Sequence, residues 1–274
     1  MKNFKGKAIY NPSGKAGEYS YWACNFYVGC SNGCEYCYCK KGILAGAMGQ
    51  DKPQLKKCFE HETDAFNRFV LELERNLLWE GKNSSLYSHG IFFSFTTDPL
   101  LPETEVLTFW AAGYAVNKGV PVKFLTKCTD WVDPFIEVSK QDGFDKKMYA
   151  IGFTLTGHDE LEPNASTNQE RIEAMKRLHD EGFKTFASIE PIIHLSSSAK
   201  MIRQTERFCD LYKIGLLSGK KFDKIELNDF VWNTVEYLHG YKVYFKDSLL
   251  KSAGIERTEL PSNCVNKDYN IFTV

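Results

Sequence analysis

The sequence lacks an excess of basic residues and lacks any long apolar run. Lysine and arginine number 34 against 35 aspartates and glutamates, which gives a formal net charge of −1. This balance excludes broad electrostatic adhesion to nucleic acid, although it leaves room for a local basic patch. No apolar stretch approaches the roughly 20 residues of a membrane span, and the charged segment Met1–Lys7 has no apolar stretch behind it. We therefore expect a cytoplasmic protein without a membrane partner.

The cysteines lack the pattern of a disulfide framework. Their number is nine, which is odd, and four of them fall within the ten residues Cys30–Cys39. Such crowding is typical of metal ligation and free thiols in a reducing compartment. A closed zinc site requires a second, separated pair of ligands, and the sequence has no such pair. A structural zinc site is therefore the less favoured interpretation.

The segment Cys30–Cys39 does contain the array C-x3-C-x2-C, formed by Cys30, Cys34 and Cys37. Three thiolates this close together can hold one metal centre. The array is one cysteine short of ferredoxin spacing, so a cubane bound here would keep one iron open to an outside ligand. Cys39, two residues beyond Cys37, is interpreted as a neighbour that is not a ligand.

The residue between the last two of these cysteines is aromatic, Tyr36, so the complete motif is C-x3-C-x-aromatic-C. With this motif the chain resembles the radical S-adenosylmethionine (SAM) superfamily. The resemblance implies a 4Fe-4S cluster on the three cysteines, with the amino and carboxylate groups of SAM chelating the fourth iron. It further implies an electron donor such as flavodoxin or ferredoxin, whose electron cleaves SAM to a 5′-deoxyadenosyl radical.

Apolar strands alternate with amphipathic helices along the chain. Periodic apolar residues from Thr63 to Gly81 predict the first crossover helix, and the capping box of Thr167 and Glu170 opens a later one. The predicted strands are 19–26, 91–95, 120–125, 148–155, 185–189, 210–214 and 241–245. The other predicted helices are about 107–119, 131–141, 167–180, 197–208 and 224–238.

This alternation predicts right-handed βαβ units and a parallel sheet. About six such units fit a single α/β domain of this length, and the superfamily resemblance implies a partial (β/α)6 barrel of parallel strands. We expect residues 1–18 to form an N-terminal extension, residues 19–245 to form the barrel, and residues 246–274 to form a C-terminal tail covering the barrel.

Chemistry in barrels of parallel strands collects at the carboxyl ends of the strands. The polar residues that follow the predicted strands are Thr96-Thr97-Asp98, Thr126-Lys127-Cys128, Thr154, Thr156 and Glu190. Several of these segments resemble one branch of the superfamily, the spore photoproduct lyase-like proteins, also labelled DNA repair photolyases. The matching pieces are Phe95-Thr-Thr-Asp-Pro, Leu125-Thr-Lys, Phe153-Thr-Leu-Thr, Glu162-Pro163 with Arg171-Ile172, and Ile189-Glu-Pro-Ile.

Carried across position by position, this resemblance implies where the cofactor lies. Lys127 and Thr154 would lie near the SAM ribose, Thr96 beside the cofactor, and the backbone of Tyr36 near the adenine. The residue types agree, because a ribose needs hydroxyl and cationic hydrogen-bond partners that face the mouth of the barrel. Alternatively, each threonine caps the following helix and Lys127 is a surface lysine.

Two further residues near the strand ends are candidate catalytic residues. Glu190 can bind a substrate amine or amide, or it pairs with Lys213. The lyase uses a cysteine as hydrogen donor at the end of its second strand, where this chain has Phe95. Cys128, after the third strand, is the candidate donor here, with a buried structural thiol as the alternative. Asp98, before a proline, is interpreted as a residue that shapes the turn.

Three functional hypotheses follow from these features. The favoured one is a radical SAM enzyme that abstracts hydrogen from a substrate C–H bond, with a nucleobase or nucleic acid as the candidate substrate. The second is a radical SAM enzyme that modifies or activates a peptide or protein. The third is a non-enzymatic metal-binding module with a zinc knuckle. Fold and cluster alone do not identify the substrate, because the cofactor carries the radical chemistry.

Overall fold

The computed structural model describes residues 4–42 and 45–273, and one sheet dominates these ranges. In spatial order its strands are β1 (Ile9–Tyr10), β2 (Trp22–Cys24), β5 (Ile91–Phe93), β6 (Val122–Thr126), β7 (Tyr149–Thr154), β8 (Lys184–Ile192), β9 (Leu211–Leu216) and β10 (Lys242–Phe245). The edge strand β1 is antiparallel to β2, and the pairs from β2 to β10 are parallel. A separate short pair joins β3 (Tyr27–Val28) to β4 (Gln54–Leu55).

Helices connect the parallel strands, and a last helix, α10 (Asp247–Ala253), follows β10. The connecting helices are α3 (Glu62–Glu80), α4 (Ser85–His89), α5 (Glu105–Asn117), α6 (Val132–Val138), α7 (Asn168–Asp180), α8 (Leu195–Thr205) and α9 (Lys224–Tyr237). Two short helices, α1 (Gly14–Gly17) and α2 (Ala45–Met48), flank the cysteine segment. The predicted α/β fold with a partial barrel of parallel strands is confirmed. Among the described residues, none of the helices combines the length and the apolar character that crossing a bilayer requires.

Local sequence explains where these helices begin. At α7 the Thr167 hydroxyl accepts from the backbone of Glu170, and the Glu170 carboxylate accepts from the backbone of Thr167, which is the predicted capping box. At α9 the carboxylate of Asp223 accepts from the backbone amides of Ile225 and Glu226. Caps of this kind satisfy amides that have no partner inside the helix.

The predicted strand 19–26 is shorter in the structure, where only Trp22–Cys24 is in the sheet. The reason is Asn25, whose side-chain oxygen accepts a hydrogen bond of 2.9 Å from the amide of Phe95. This side chain takes the place of the next backbone pairing between β2 and β5, so both strands end there. The elements β1, α1 and α10 lie in stretches for which the sequence predicted no regular structure.

The core has a larger part between the sheet and the helices and a smaller part on the inner face of the barrel. Phe92, Phe186 and Leu211 belong to the inner part, together with Ile271 from the tail. The side-chain amide of Asn270 in the tail donates a hydrogen bond to the carbonyl of Ser88, which lies in α4 shortly before β5. Asn270 and Ile271 therefore lie near the amino end of β5.

Candidate active site

A cavity of about 470 Å³ lies at the carboxyl ends of the parallel strands. Cys30, Cys34 and Cys37 line it, on the loop that follows β3. Five of the other predicted site residues line the same cavity, namely Tyr36, Thr96, Lys127, Thr154 and Glu190. The structure thus brings together one loop and the ends of several strands, as a parallel barrel does.

The cysteine loop is held against the loop that follows β7. The amide of Glu35 donates to the carbonyl of Leu161 at 3.0 Å, and the amide of Asn164 donates to the carbonyl of Asn32 at 3.2 Å. Gly33 has a φ of 72°, and a Cβ there would lie 3.0 Å from the Asn164 side chain. A glycine is therefore required at position 33 for both the turn and the close approach.

The thiols of the loop differ in acidity. The hydrogen bond from Cys39 lowers the pKa of Cys37 to about 6, which favours its thiolate at neutral pH. Burial raises the pKa of Cys30 to about 12 and also raises the pKa of Cys34. Metal ligands must be deprotonated, so metal binding by Cys30 and Cys34 is coupled to the release of protons.

The donor set fits a cluster better than a single ion. In the parts of the chain that the structure describes, no three His, Cys, Asp or Glu side chains converge as ligands of one metal ion. A zinc ion would require such convergence, with Zn–S distances of about 2.3 Å. A 4Fe-4S cluster binds each thiolate through a different iron, which spaces its ligands farther apart. Cys30, Cys34 and Cys37 are three thiols on one short loop that line one cavity, which is the kind of donor set that such a cluster uses.

Asp98 joins the cysteine loop to the ends of β5 and β6. Its carboxylate accepts hydrogen bonds from the Asn32 side chain at 2.9 Å, the Lys127 amide at 2.7 Å and the Thr126 hydroxyl at 2.6 Å. The side chain is buried. The sequence interpretation of Asp98 as a turn residue is therefore incomplete, because its carboxylate connects three segments of the site.

Lys127 lies above the ring of Tyr36, with its ammonium 5.7 Å from the ring centroid. Burial alone would lower the pKa of Lys127, but the neighbouring acidic groups Cys34, Glu162 and Asp98 together outweigh burial, so the pKa is raised. The ammonium is thus charged at neutral pH. A fixed cation beside the cysteines can bind an anionic or hydroxyl-bearing ligand in the cavity.

The buried ion pair of Arg171 and Glu162 holds the hydroxyl of Tyr36. Arg171 is fully buried and pairs with Glu162, whose other carboxylate oxygen accepts from the hydroxyl of Tyr36. The remaining guanidinium donors reach the backbone carbonyls of Thr154 at 2.6 Å and Ser166 at 2.7 Å. This network fixes the aromatic residue of the cysteine motif and the end of β7 relative to each other.

The remaining predicted residues are placed as follows. Thr96 lines the cavity, and its hydroxyl donates to the carbonyl of Tyr27, next to the cysteine loop. Cys128 lies among the apolar residues between sheet and helices and is not part of the cavity wall. Burial raises the pKa of Cys128 to about 11. The thiol that lines the cavity without belonging to the cluster motif is instead Cys39.

Glu190 lines the cavity from the β8 side. The sequence suggested Lys213 as its partner, but the structure shows a different one. Its carboxylate binds the ammonium of Lys246 at 2.9 Å and the hydroxyl of Tyr19 at 2.8 Å. Lys213 pairs in register with Ser188, two residues before Glu190, so its side chain starts deeper in the barrel. There its ammonium donates to the backbone carbonyl of Tyr19 at 2.6 Å.

Sequence reasoning missed Lys246 and Tyr19. Lys246 follows β10 directly, so the rule that examines residues after each strand would have found it on the last strand. Tyr19 precedes β2, and no local pattern indicates that its hydroxyl reaches β8.

Comparison with known proteins identifies relatives in sequence. No protein-family model matches the chain. An uncharacterised protein of Methanocaldococcus jannaschii is 25% identical over 224 residues, which cover 79% of this chain and 77% of that protein. A radical SAM Nα-GlyT isomerase of Pseudomonas phage M6 is 27% identical over 172 residues. That match covers 60% of this chain but only 31% of the isomerase.

Solved structures of spore photoproduct lyase have a similar fold. A mutant of this enzyme aligns with a TM-score of 0.61 at 14% identity, over 88% of this chain and 79% of the lyase. A mutant with bound AdoMet and dinucleoside spore photoproduct aligns with a TM-score of 0.61 at 15% identity, over 86% and 79%. The resemblance predicted from the cysteine loop is thus confirmed: this chain has the radical SAM partial-barrel fold and is similar to the spore photoproduct lyase-like branch of radical SAM enzymes.

Proposed function

We propose that this chain binds a 4Fe-4S cluster and SAM in the cavity and abstracts hydrogen from a substrate C–H bond. The observation that carries the proposal is that Cys30, Cys34 and Cys37 line the same cavity as Lys127 and the strand-end threonines. When bound, the cluster and SAM supply a 5′-deoxyadenosyl radical after the transfer of one electron.

The residues of the chain would position these groups. The three cysteines would hold the cluster, and the charged ammonium of Lys127 with the end of β7 at Thr154 would bind the ribose of SAM. Thr96 would lie beside the cofactor, and the backbone of Tyr36 would lie near the adenine. Asp98 accepts a hydrogen bond of 2.7 Å from the backbone amide of Lys127, so the point from which the lysine side chain enters the cavity is fixed.

The cavity wall protects a reactive species from water. Much of the lining is apolar or aromatic, including Phe92, Phe95, Leu125 and Leu216. A dry wall limits quenching of a radical by solvent and keeps the substrate close to it. The protein therefore supplies position and shielding, while the cofactor supplies the chemistry.

A nucleobase or nucleic acid is the proposed substrate class. The related lyase has been solved with a dinucleoside spore photoproduct, and this chain has the same fold. Four lysines line the cavity, namely Lys15, Lys40, Lys127 and Lys246, and cations next to aromatic rings suit phosphate and base together. We also propose a flavodoxin or ferredoxin as electron donor and a reducing, cytoplasmic location, with which nine free cysteines agree.

The test is reductive SAM cleavage by anaerobically reconstituted protein. With dithionite and SAM we expect 5′-deoxyadenosine, together with iron and sulfide in the protein. Cys30→Ala should lose both the 5′-deoxyadenosine product and the bound iron and sulfide, because the cluster would lack one of its three thiolates. Cys58→Ala is the matched control, since Cys58 is an exposed thiol outside the cavity wall, and it should behave as wild type.

The opposite results are equally clear. Equal 5′-deoxyadenosine from wild type and Cys30→Ala would refute the proposal. Zinc as the sole stoichiometric metal after anaerobic preparation would instead support a metal-binding module without enzymatic activity.

A further inference from the structure

A serine, a histidine and a glutamate are in contact outside the cavity, on the rim formed by the carboxyl ends of β7 and β8. The Nδ1 atom of His158 lies 2.7 Å from the Glu160 carboxylate. The Nε2 atom of the same ring lies 2.8 Å from the Ser197 hydroxyl. His158 and Glu160 belong to the loop after β7, and Ser197 lies in the first turn of α8. None of these three residues belongs to the wall of the cavity that holds the cysteine loop.

The two contacts of the His158 ring assign its protons. An ionised carboxylate only accepts hydrogen bonds, so Nδ1 carries the proton that is donated to Glu160. This hydrogen bond lowers the pKa of Glu160, which keeps the carboxylate ionised at neutral pH. In the neutral imidazole Nε2 is then an acceptor, and the hydroxyl of Ser197 donates to it. The order is therefore a nucleophile, a base and a group that orients the base, which is the arrangement that activates a serine.

The loop after β7 is held in a shape that brings His158 to Ser197. The backbone amides of Thr156 and Gly157 donate to the side-chain oxygen of Asn168 at 3.0 and 3.1 Å. Gly157 has a φ of 73°, and a Cβ there would lie 3.0 Å from the Cβ of Ser197. A glycine is therefore required for both the turn and the close approach of the loop to α8. The base is thus positioned against the serine before any ligand binds.

The beginning of α8 places hydrogen-bond donors beside the serine. The helix has 11 residues, and its N-cap residue His194 makes no side-chain cap hydrogen bond. The first amides of a helix have no partner inside the helix and carry a partial positive charge. Ser197 is the third residue of α8, so its hydroxyl lies in the turn that carries these amides. They can stabilise the oxyanion that forms when a serine attacks an acyl group.

Stability is a poor explanation for this arrangement. The side chain of Glu160 is 67% exposed, and an ion pair or hydrogen bond at such a position adds little stability. The Ser197 hydroxyl also has the carbonyl of His194 as an acceptor at 3.1 Å, so it does not depend on His158 for a partner. Ser197 is itself partly exposed. The three side chains are therefore accessible to a substrate from solvent.

We propose that Ser197 and His158, positioned by Glu160, form a second active site that hydrolyses small esters. His158 takes the proton of the Ser197 hydroxyl while Oγ forms a bond to the ester carbonyl carbon. The bond from this carbon to the alcohol oxygen then breaks, and His158 gives the proton to the leaving alcohol. Water attacks the acyl-serine in the same way, its proton returns to Ser197 through His158, and the carboxylic acid leaves.

This activity goes beyond the proposed function and is independent of it. The atoms balance with one ester and one water in, and one alcohol and one carboxylic acid out, so no electron is transferred. The position of the three side chains on an open rim favours small acyl groups over long ones. Glu160 does not contact the reacting atoms and is a positioning residue.

The first test is labelling of the whole chain, reconstituted with its cluster but without SAM and reductant, by a fluorophosphonate. We expect one adduct, located by mass spectrometry on Ser197, and hydrolysis of p-nitrophenyl acetate that the fluorophosphonate blocks. The labelling experiment uses wild-type protein only, so it does not depend on the folding of any variant.

Variants then separate the roles of the three residues. Ser197→Ala should lose the adduct, and His158→Gln should slow labelling by at least about a hundredfold, the scale of a lost general base. Ser196→Ala is the matched control, because Ser196 is an exposed serine in the same turn, and it should be labelled as wild type.

Glu160→Gln and Glu160→Asp test the positioning role. The glutamine variant should be labelled at least about tenfold more slowly than wild type, because an amide no longer holds the charged partner of the imidazole. The aspartate variant keeps the carboxylate and should recover part of the labelling rate. Equal labelling rates for wild type and Glu160→Gln would remove Glu160 from the site.

Absence of an adduct on Ser197 in wild type would overturn the assignment, and so would equal labelling of wild type and His158→Gln. Labelling of Ser197 without hydrolysis of p-nitrophenyl acetate would overturn the assigned ester hydrolysis. These results are separate from a failure of the proposed function, which would appear as absent 5′-deoxyadenosine and absent iron in the reductive assay.

Discussion

At the scale of single residues, Asp98 joins the cysteine loop to the end of β6, although the sequence indicated only a turn residue at this position. Its carboxylate accepts from a side chain of the cysteine loop, from a hydroxyl in β6 and from backbone amides. A buried acceptor that serves several donors is costly to remove, because each donor then loses its partner. The position of Lys127 therefore depends on the charge state and shape of one neighbouring side chain.

Asp98→Asn tests this dependence. The introduced asparagine would have an NH₂ group in place of one carboxylate oxygen, and this group would face the donors of neighbouring residues. We therefore expect a loss of about 1–3 kcal/mol in the free energy of unfolding. Urea unfolding of the purified protein measures it. Asp51→Asn is the control, because Asp51 pairs with Lys40 at an exposed position, and its unfolding curve should overlay that of wild type. An unchanged Asp98→Asn curve would contradict the role given to Asp98.

At the scale of elements, α7 is what connects the cysteine loop to the sheet. Its capping box sets where the helix begins, and this places Arg171 in the first turn, where it faces Glu162 and the end of β7. The helix thus contributes to the site although none of its residues lines the cavity. Sequence periodicity predicted the helix, but the partner of Arg171 depends on how the preceding loop folds back.

Arg171→Met tests the contribution of α7. It leaves the carboxylate of Glu162 buried without its cation, which typically costs about 3–5 kcal/mol. Denaturant unfolding should show this loss. Arg177, also in α7, forms a partly exposed ion pair with Asp133 of α6. Arg177→Met removes this pair and should leave the free energy of unfolding close to that of wild type. Equal effects of the two substitutions would show that burial of the Arg171 pair is unimportant.

At the scale of the whole molecule, the barrel encloses charged side chains on its inner face. Lys123 stands in register with Phe92 and Ala150, which belong to the inner apolar part of the core. Burial lowers the pKa of Lys123 to about 7. An unfolded lysine has a pKa of about 10.4, so between about pH 7 and pH 10.4 the unfolded chain binds more protons than the folded one. Stability attributable to Lys123 must therefore rise with pH across that window.

Lys123→Met tests the burial of this amine. The variant should be more stable than wild type at neutral pH, and the difference should shrink as the pH rises toward about 10. Urea unfolding of both proteins across this pH window measures the difference. Lys251→Met, at an exposed position of α10, should follow the wild-type profile. A difference between Lys123→Met and wild type that does not change with pH would contradict the burial of the charge.

The sequence by itself determined the order of the main parallel strands and their connecting helices, and the chemistry of one loop. Strand and helix periodicity extends over many residues, so errors at single positions average out, and the observed bounds of α7 and β7 differ little from the predicted ones. The motif of Cys30, Cys34 and Cys37 is local as well. Its spacing is short enough that chain connectivity alone keeps the thiols near one another.

Only the tertiary structure decided which distant residues share the cavity. Tyr19, Glu190 and Lys246 are separated by 171 and 56 positions, and their contacts exist because β2, β8 and β10 curve around one axis. Of the two alternatives that the sequence left open for Glu190, the pairing with Lys213 is therefore wrong, because the partner is Lys246. The same reason applies to Asp98, whose distant donors come from the cysteine loop and from the end of β6. Local patterns carry no information on such contacts, since the free energy that selects them arises from closure of the barrel.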